Sequence, residues 1–134
     1  MLARREHSRL ELERKLAPFT GNTGEIAELL DDFERRGWLS EHRVVEQVLA
    51  SRRRRFGAQR IAHELREKGL SDAAIAGARL QLKESELETA RAVWMTKFGA
   101  LPANAREKAR QMRFLQGRGF SLDIIRRVLR NIEE

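Results

Sequence analysis

The sequence predicts an all-α protein built from tandem three-helix units, and three observations lead to this class. Apolar residues recur at the spacing that places them on one face of a helix, as in Ala58, Ile61, Ala62 and Leu65. The 134 residues include only two prolines and no tyrosine, and β-branched residues seldom cluster as they do in strands. Short segments that combine glycine, an apolar residue and serine recur between the apolar stripes.

Each predicted helix has a start or stop signal at its ends. Serine or asparagine precedes most stripes and can accept a hydrogen bond from the first turn, while glycine after a basic residue is typical of a helix end. These signals predict helices over 9–17, 23–36, 41–54, 58–68, 72–82, 85–98, 105–117 and 122–131. We also expect residues 1–6 to end a further helix.

The helix junctions resemble one another. A basic residue, a glycine, an apolar anchor and a serine follow in order at 68–71 and 118–121, with one additional residue at 36–40. The glycine is expected to adopt the left-handed conformation and the anchor to pack on the preceding helix. The segment 5–8 lacks the glycine and has His7 at the anchor position. The predicted junction residues are Ser8, Gly37, Trp38, Ser40, Gly69, Leu70, Ser71, Gly119, Phe120 and Ser121.

Helical proteins in general reuse glycine stops and serine caps, but the shared order favours a true repeat, which is typical of a stacked, elongated and curved array. The approximate units are 1–39, 40–83 and 84–134, called here the first, second and third units. We expect them to form a single repeat-array domain.

The net charge of +7 is unevenly distributed. Residues 51–70 contain seven basic and two acidic side chains, and residues 104–134 contain eight and four, whereas residues 1–50 are slightly acidic. Such basic blocks indicate a polyanionic partner. The candidate binding residues are Arg52, Arg53, Arg54, Arg55, Arg60, Arg66, Arg106, Arg110, Arg113, Arg126, Arg127 and Arg130. Each single arginine is more simply a solvated surface residue, and Phe56 is the one aromatic that we would test for base stacking.

Little in the sequence indicates catalysis. The chain has no cysteine, which excludes disulfides and cysteine-based metal sites. His7 is expected to pack, and His42 and His63 lack a second ligand at helical spacing. The acidic run Glu84, Glu86 and Glu88 is expected to be a solvated helix start. We therefore predict no catalytic residue, no metal and no cofactor.

No apolar run is long enough for a membrane span, and the first ten residues do not resemble a secretory signal. We accordingly expect a cytoplasmic protein without membrane association.

Several segments resemble the RecX family of bacterial regulators of the RecA recombinase. The opening residues Leu2-Ala3-Arg4-Arg5-Glu6-His7-Ser8 resemble the start of that family, and the matches continue at Arg54-Arg55-Phe56-Gly57 and at Phe114-Leu115-x-x-Arg118-Gly119-Phe120-Ser121. No single motif is highly specific to this family, but the order of the motifs from about residue 2 to residue 131 is specific.

The resemblance implies three tandem three-helix units without a catalytic site. It also implies binding to RecA and to RecA filaments on single-stranded DNA, with restraint of filament extension, ATP hydrolysis and strand exchange. The implied context is DNA repair by homologous recombination and the SOS response. Direct binding to single- or double-stranded DNA stays open, and we expect a monomer.

The alternative is a basic helical DNA-binding protein that acts through helix-turn-helix-like units, independently of RecA. Against it, the helix after Ser71 is rich in alanine and has few groups that could read bases. An enzyme is the least supported class, although the sequence does not exclude it.

Overall fold

The computed structural model describes residues 5–133, with side chains described through Arg130. That part of the chain contains eight α-helices, a 3-10 turn over Ala17–Phe19 and no strand, which confirms the predicted all-α class. The helices are α1 Arg9–Leu16, α2 Thr23–Arg35, α3 Glu41–Arg52, α4 Ala58–Glu67, α5 Asp72–Lys83, α6 Glu86–Lys97, α7 Ala105–Gly117 and α8 Leu122–Glu133.

The prediction that residues 1–6 end a helix is wrong for the two of these residues that the structure describes. Arg5 and Glu6 are not helical, because they lead into the extended backbone of Ser8, which caps α1. Residues 1–4, which include Leu2, Ala3 and Arg4 of the family resemblance, lie outside the described part of the chain.

Polar side chains satisfy the first turns of most helices. The Ser8 hydroxyl accepts a hydrogen bond from the Glu11 amide, and the Glu11 carboxylate accepts one from the Ser8 amide, so α1 begins with a capping box. Side-chain caps also precede α2, α3, α5, α7 and α8, at Asn22, Ser40, Ser71, Asn104 and Ser121. These caps fix where the helices begin.

Glycines in the left-handed conformation end four helices. Gly37, Gly69 and Gly119 have φ angles of 75°, 79° and 93° at the three repeated junctions. Gly99, with φ of 68°, ends α6 in the same way, although it stands outside the repeated segments. A side chain with a Cβ resists this conformation, which is why glycine recurs there.

Three separate apolar clusters form the interior. The first joins α1 and α2, the second joins α3, α4 and α5, and the third joins α6, α7 and α8. Fully buried members are Leu30 in the first cluster, Leu49, Ile61 and Leu65 in the second, and Leu115, Phe120 and Ile125 in the third. The clusters support the division into units of 1–39, 40–83 and 84–134, which stays a prediction.

The junction anchors are not all buried. Leu70 and Phe120 are buried against their own units, whereas Trp38 is 49 % exposed and the next residue, Leu39, is 6 % exposed. Because this junction contains one additional residue, the side chain of Leu39 is buried in the core and that of Trp38 is not. The Trp38 ring lies against Phe33, with centroids 5.5 Å apart, and the Arg36 guanidinium covers it. The expectation that Trp38 is the anchor is therefore corrected to Leu39.

The junction glycines also hold neighbouring units together. A Cβ on Gly69 would lie 2.7 Å from the Leu10 side chain of α1, and one on Gly119 would lie 2.3 Å from Cβ of Arg60 in α4. Helix α4 has no side-chain cap, and the Gln59 amide instead donates to the Gly119 carbonyl at 3.1 Å. The start of α4 is thus completed by backbone of the third unit.

Candidate anion-binding surface

The four arginines at 52–55 have different surroundings: two contact other elements of the fold through polar groups, and two line a cleft. Nε of Arg52 lies 3.0 Å from Oε1 of Glu64, and Arg53 donates to the Ser85 hydroxyl at 3.3 Å. The first contact links α3 to α4, and the second links the second unit to the third. These two arginines are therefore largely engaged in holding the fold, which the sequence alone did not distinguish from binding.

Arg54 and Arg55 instead line a cleft between the second and third units, called here the inter-unit cleft. It encloses about 350 Å³, and Lys97 and Arg118 contribute two further positive charges. Its lining consists of Arg54, Arg55, Ala92, Val93, Thr96, Lys97, Phe114 and Arg118. Four cations and no carboxylate line this space, so it has the character of an anion site.

Phe56 is surrounded by guanidinium groups. Arg60 lies 4.2 Å from the ring centroid, Arg118 lies 5.3 Å from it and Arg55 lies 5.6 Å from it. Arg60 also donates to the carbonyl of Gly117 at 3.1 Å, so it connects α4 to the end of α7. Because cationic side chains already pack on the Phe56 ring, its candidate role as a base-stacking platform is disfavoured.

The predicted stripe on α7 is only partly available. Arg110 is bonded to Glu107 at 2.9 Å and lies over the Phe98 ring, 5.2 Å from its centroid. Arg106 and Arg113 are exposed. The stripe at residues 106, 110 and 113 therefore contributes two unengaged arginines rather than three.

The arginines of α8 face two other depressions. Arg126 and Arg130 line a groove of about 260 Å³ between α7 and α8, together with Lys108. Arg127 borders a wider groove of about 700 Å³, where α5 contributes Arg79 and Lys83. Arg66 is exposed near the end of α4 and lines none of these spaces. The twelve predicted arginines are thus distributed over several surfaces instead of one.

Lys97 and Arg118 are the binding candidates that the sequence analysis missed. Lys97 lies in the neutral stretch between the basic blocks, so a count of charge along the chain does not select it. Arg118 was assigned only as the basic residue before Gly119. Its guanidinium donates to the Arg55 carbonyl at 3.2 Å, which joins the end of α7 to the arginine run.

One member of the acidic run is not solvated as expected. Glu86 is half-buried beside the starts of α4 and α8, and burial raises its pKa above the ordinary range. The nearby amides of Ala58 and Ser121 and the charge of Arg79 oppose that rise. The carboxylate therefore serves the contact between units instead of a solvated helix start.

One of the three histidines is buried, and the other two are exposed. His7 is buried, and its Nε2 lies 3.2 Å from the Lys15 ammonium. Burial, followed by the charges of Arg5 and Lys15, lowers the pKa of His7. His42 and His63 are exposed. Among the side chains that the structure describes, from Arg5 to Arg130, no group of three histidine, aspartate or glutamate residues is arranged to hold a metal ion.

Tandem helical units with basic clefts between them define a class of helical-repeat binding proteins. Across the described residues, no helix has the length and apolar character needed to cross a bilayer. The comparisons with known proteins agree with this class and narrow it.

Two family models match consecutive parts of the chain. The second three-helix domain of RecX matches residues 40–78, and the third three-helix domain of RecX matches residues 84–129. A regulatory protein RecX from Leptothrix cholodnii is 53% identical over 129 residues, which cover 96% of this chain and 82% of that protein. A regulatory protein RecX from Ralstonia nicotianae is 42% identical, and the match covers 98% of this chain and 83% of that protein. The chain therefore belongs to the RecX family of regulatory proteins, which are not enzymes.

Solved structures show the same fold. The crystal structure of RecX from Lactobacillus salivarius superimposes with a TM-score of 0.84 over 98% of this chain and 89% of that one, at 18% identity. A second RecX crystal structure gives a TM-score of 0.82 over 95% of this chain and 66% of that one. The helical-repeat architecture is thus shared with RecX structures of distant sequence.

Proposed function

We propose that this protein binds RecA and RecA filaments on single-stranded DNA and restrains filament extension, ATP hydrolysis and strand exchange. The observation that carries the proposal is the 53% identity to a regulatory protein RecX over nearly the whole chain. The exposed arginines on several faces support it, because a nucleoprotein filament presents both carboxylates and phosphates to a partner.

The proposed mechanism is occupancy. A helical array with cationic clefts lies along the filament, contacts more than one subunit and slows subunit exchange and nucleotide turnover. No bond is made or broken by this protein. We further propose that it acts as a monomer in the cytoplasm, in the context of recombinational DNA repair and the SOS response.

The test is the single-strand-dependent ATPase of RecA, measured with this protein added below the molar amount of RecA. Inhibition at such ratios is the expected result, because one bound molecule affects more than one subunit. An unchanged ATPase at ratios up to equimolar would contradict the proposal. A variant with Arg126, Arg127 and Arg130 replaced by alanine then measures how much the α8 surface contributes.

A further inference from the structure

The inter-unit cleft is lined by more cationic side chains than the other basic depressions: four line it, whereas three line the groove between α7 and α8 and three line the groove bordered by Arg127. The groove bordered by Arg127 also contains Asp123 and Glu86, whereas no carboxylate lines the inter-unit cleft. Among the described residues, no carboxylate lies within ion-pair distance of Arg54, Arg55, Lys97 or Arg118. Their charges are therefore available to a ligand.

One of these cations is already held in place, and a second lies over the same aromatic ring. The Arg118 guanidinium packs over the Phe114 ring, 5.2 Å from its centroid, and donates to the Arg55 carbonyl. The Lys97 ammonium lies 5.4 Å from the same centroid. The fixed Arg118 side chain therefore loses little entropy when a ligand binds, which raises affinity.

The wall of the cleft indicates the class of anion. Ala92 and Val93 present apolar surface beside the four cations, whereas Arg118 and Lys97 already cover the Phe114 ring. A phosphodiester chain offers phosphates to the cations and sugar carbons to this small apolar wall. A cleft of about 350 Å³ admits the backbone of one flexible strand, whereas a duplex is a stiff rod.

We propose that the inter-unit cleft binds the phosphodiester backbone of single-stranded nucleic acid. Arg54 and Arg55 supply planar guanidinium groups suited to phosphate oxygens, and Lys97 and Arg118 supply the remaining charge. The cleft exists only where the second and third units pack together, so the site belongs to the array and not to one unit. It goes beyond the proposed function because it does not require RecA.

The experiment measures binding of the full chain to a labelled oligothymidine by fluorescence anisotropy, without RecA and at several salt concentrations. The test variant is Arg54→Ala with Arg55→Ala. The matched control is Arg14→Ala with Arg35→Ala, which removes the same charge at exposed positions of the first unit, outside the cleft and outside the candidate binding residues. Circular dichroism confirms that both variants keep the helical content of the parent.

We expect the test variant to lose about tenfold in affinity and the control to lose much less. The slope of log affinity against log salt should fall by about 1.4 in the test variant, because each phosphate contact on a single strand contributes about 0.7. Arg54→Lys with Arg55→Lys should restore part of the affinity, since the charge returns without the planar fork.

Equal losses of affinity in the test and control variants would overturn the proposal, because the loss would then reflect the total charge of the protein and not the cleft. Absence of oligothymidine binding by the parent chain would also overturn it. Displacement of the oligonucleotide by polyglutamate at equal charge would identify a carboxylate ligand, and displacement by low-millimolar inorganic phosphate would identify a free phosphate. Because RecA is absent, each of these results leaves the proposed function to its own test.

Discussion

At the scale of single residues, Glu11 joins the first unit to the second through one carboxylate. It accepts hydrogen bonds from the Arg5 guanidinium at 2.7 Å and the Ser8 amide at 3.0 Å, and the Lys68 ammonium lies 3.4 Å away. Burial alone would raise the pKa of Glu11, but the bonds from Arg5 and Ser8 and the charge of Lys68 lower it to about 2.

A depressed carboxyl pKa has a defined consequence for stability against pH. The contribution of Glu11 is fully present above its unfolded pKa near 4.5 and is lost as pH falls through its folded pKa of about 2. Glu11→Gln keeps an acceptor for the Ser8 amide but removes the charge. We expect this variant to be about 1–3 kcal/mol less stable at pH 6, with the difference disappearing towards pH 2.

Urea unfolding followed by circular dichroism at pH 6, 4 and 3 measures this difference. Glu67→Gln is the matched control, because that carboxylate is exposed in its pair with His63. A difference between parent and Glu11→Gln that stays constant from pH 6 to pH 3 would contradict the assigned role of the charge.

Sequence reasoning identified which residue types matter but not how each is used. Periodicity and charge selected all four arginines at 52–55 as one group. Only three-dimensional contacts show that Arg52 faces Glu64 while Arg54 is free. Gln111 was missed for the same reason, since its buried amide receives the Trp94 indole N–H at 2.8 Å across two helices. Such pairings depend on tertiary packing, which a local pattern does not contain.

At the scale of helices and junctions, Gly119 does more than end α7. Its φ of 93° disfavours other residues, and a Cβ there would also lie 2.6 Å from the Arg60 backbone nitrogen. Gly37 has φ of 75° but open space around it. Substitutions at the two glycines therefore distinguish the cost of backbone strain from the cost of losing the contact between units.

We expect Gly119→Val to lower the melting temperature much more than Gly37→Val. The second variant carries only left-handed strain, which costs about 1–2 kcal/mol, whereas the first adds a clash with α4. Differential scanning calorimetry of both variants beside the parent measures the two shifts. Equal shifts would mean that the packing of Gly119 on α4 contributes nothing to stability.

The helices themselves were predictable because their signals are local. Caps such as Ser40 and stops such as Gly69 fix helix ends within a few residues, and every predicted start lies within one residue of the observed one. The Trp38 junction was not predictable in the same way. One inserted residue changes which side chain meets the core, and only packing shows that Leu39 is chosen.

At the scale of the whole molecule, the packing of units creates surface that no unit has alone. The inter-unit cleft takes Arg54 and Arg55 from the second unit and Lys97 and Arg118 from the third. The Gly57 amide donates to the Arg118 carbonyl at 2.7 Å, so backbone hydrogen bonds fix the two units beside the cleft. Packing of the units therefore gathers part of the +7 charge into one cleft.

The most direct test of the proposed function is cosedimentation with RecA filaments assembled on single-stranded DNA. The salt concentration is set where this protein no longer sediments with the same DNA alone, because phosphate contacts weaken steeply with salt. We predict that the protein is recovered in the pellet with the filaments under that condition, through contacts with RecA itself. Recovery in the supernatant, with intact filaments in the pellet, would contradict the account.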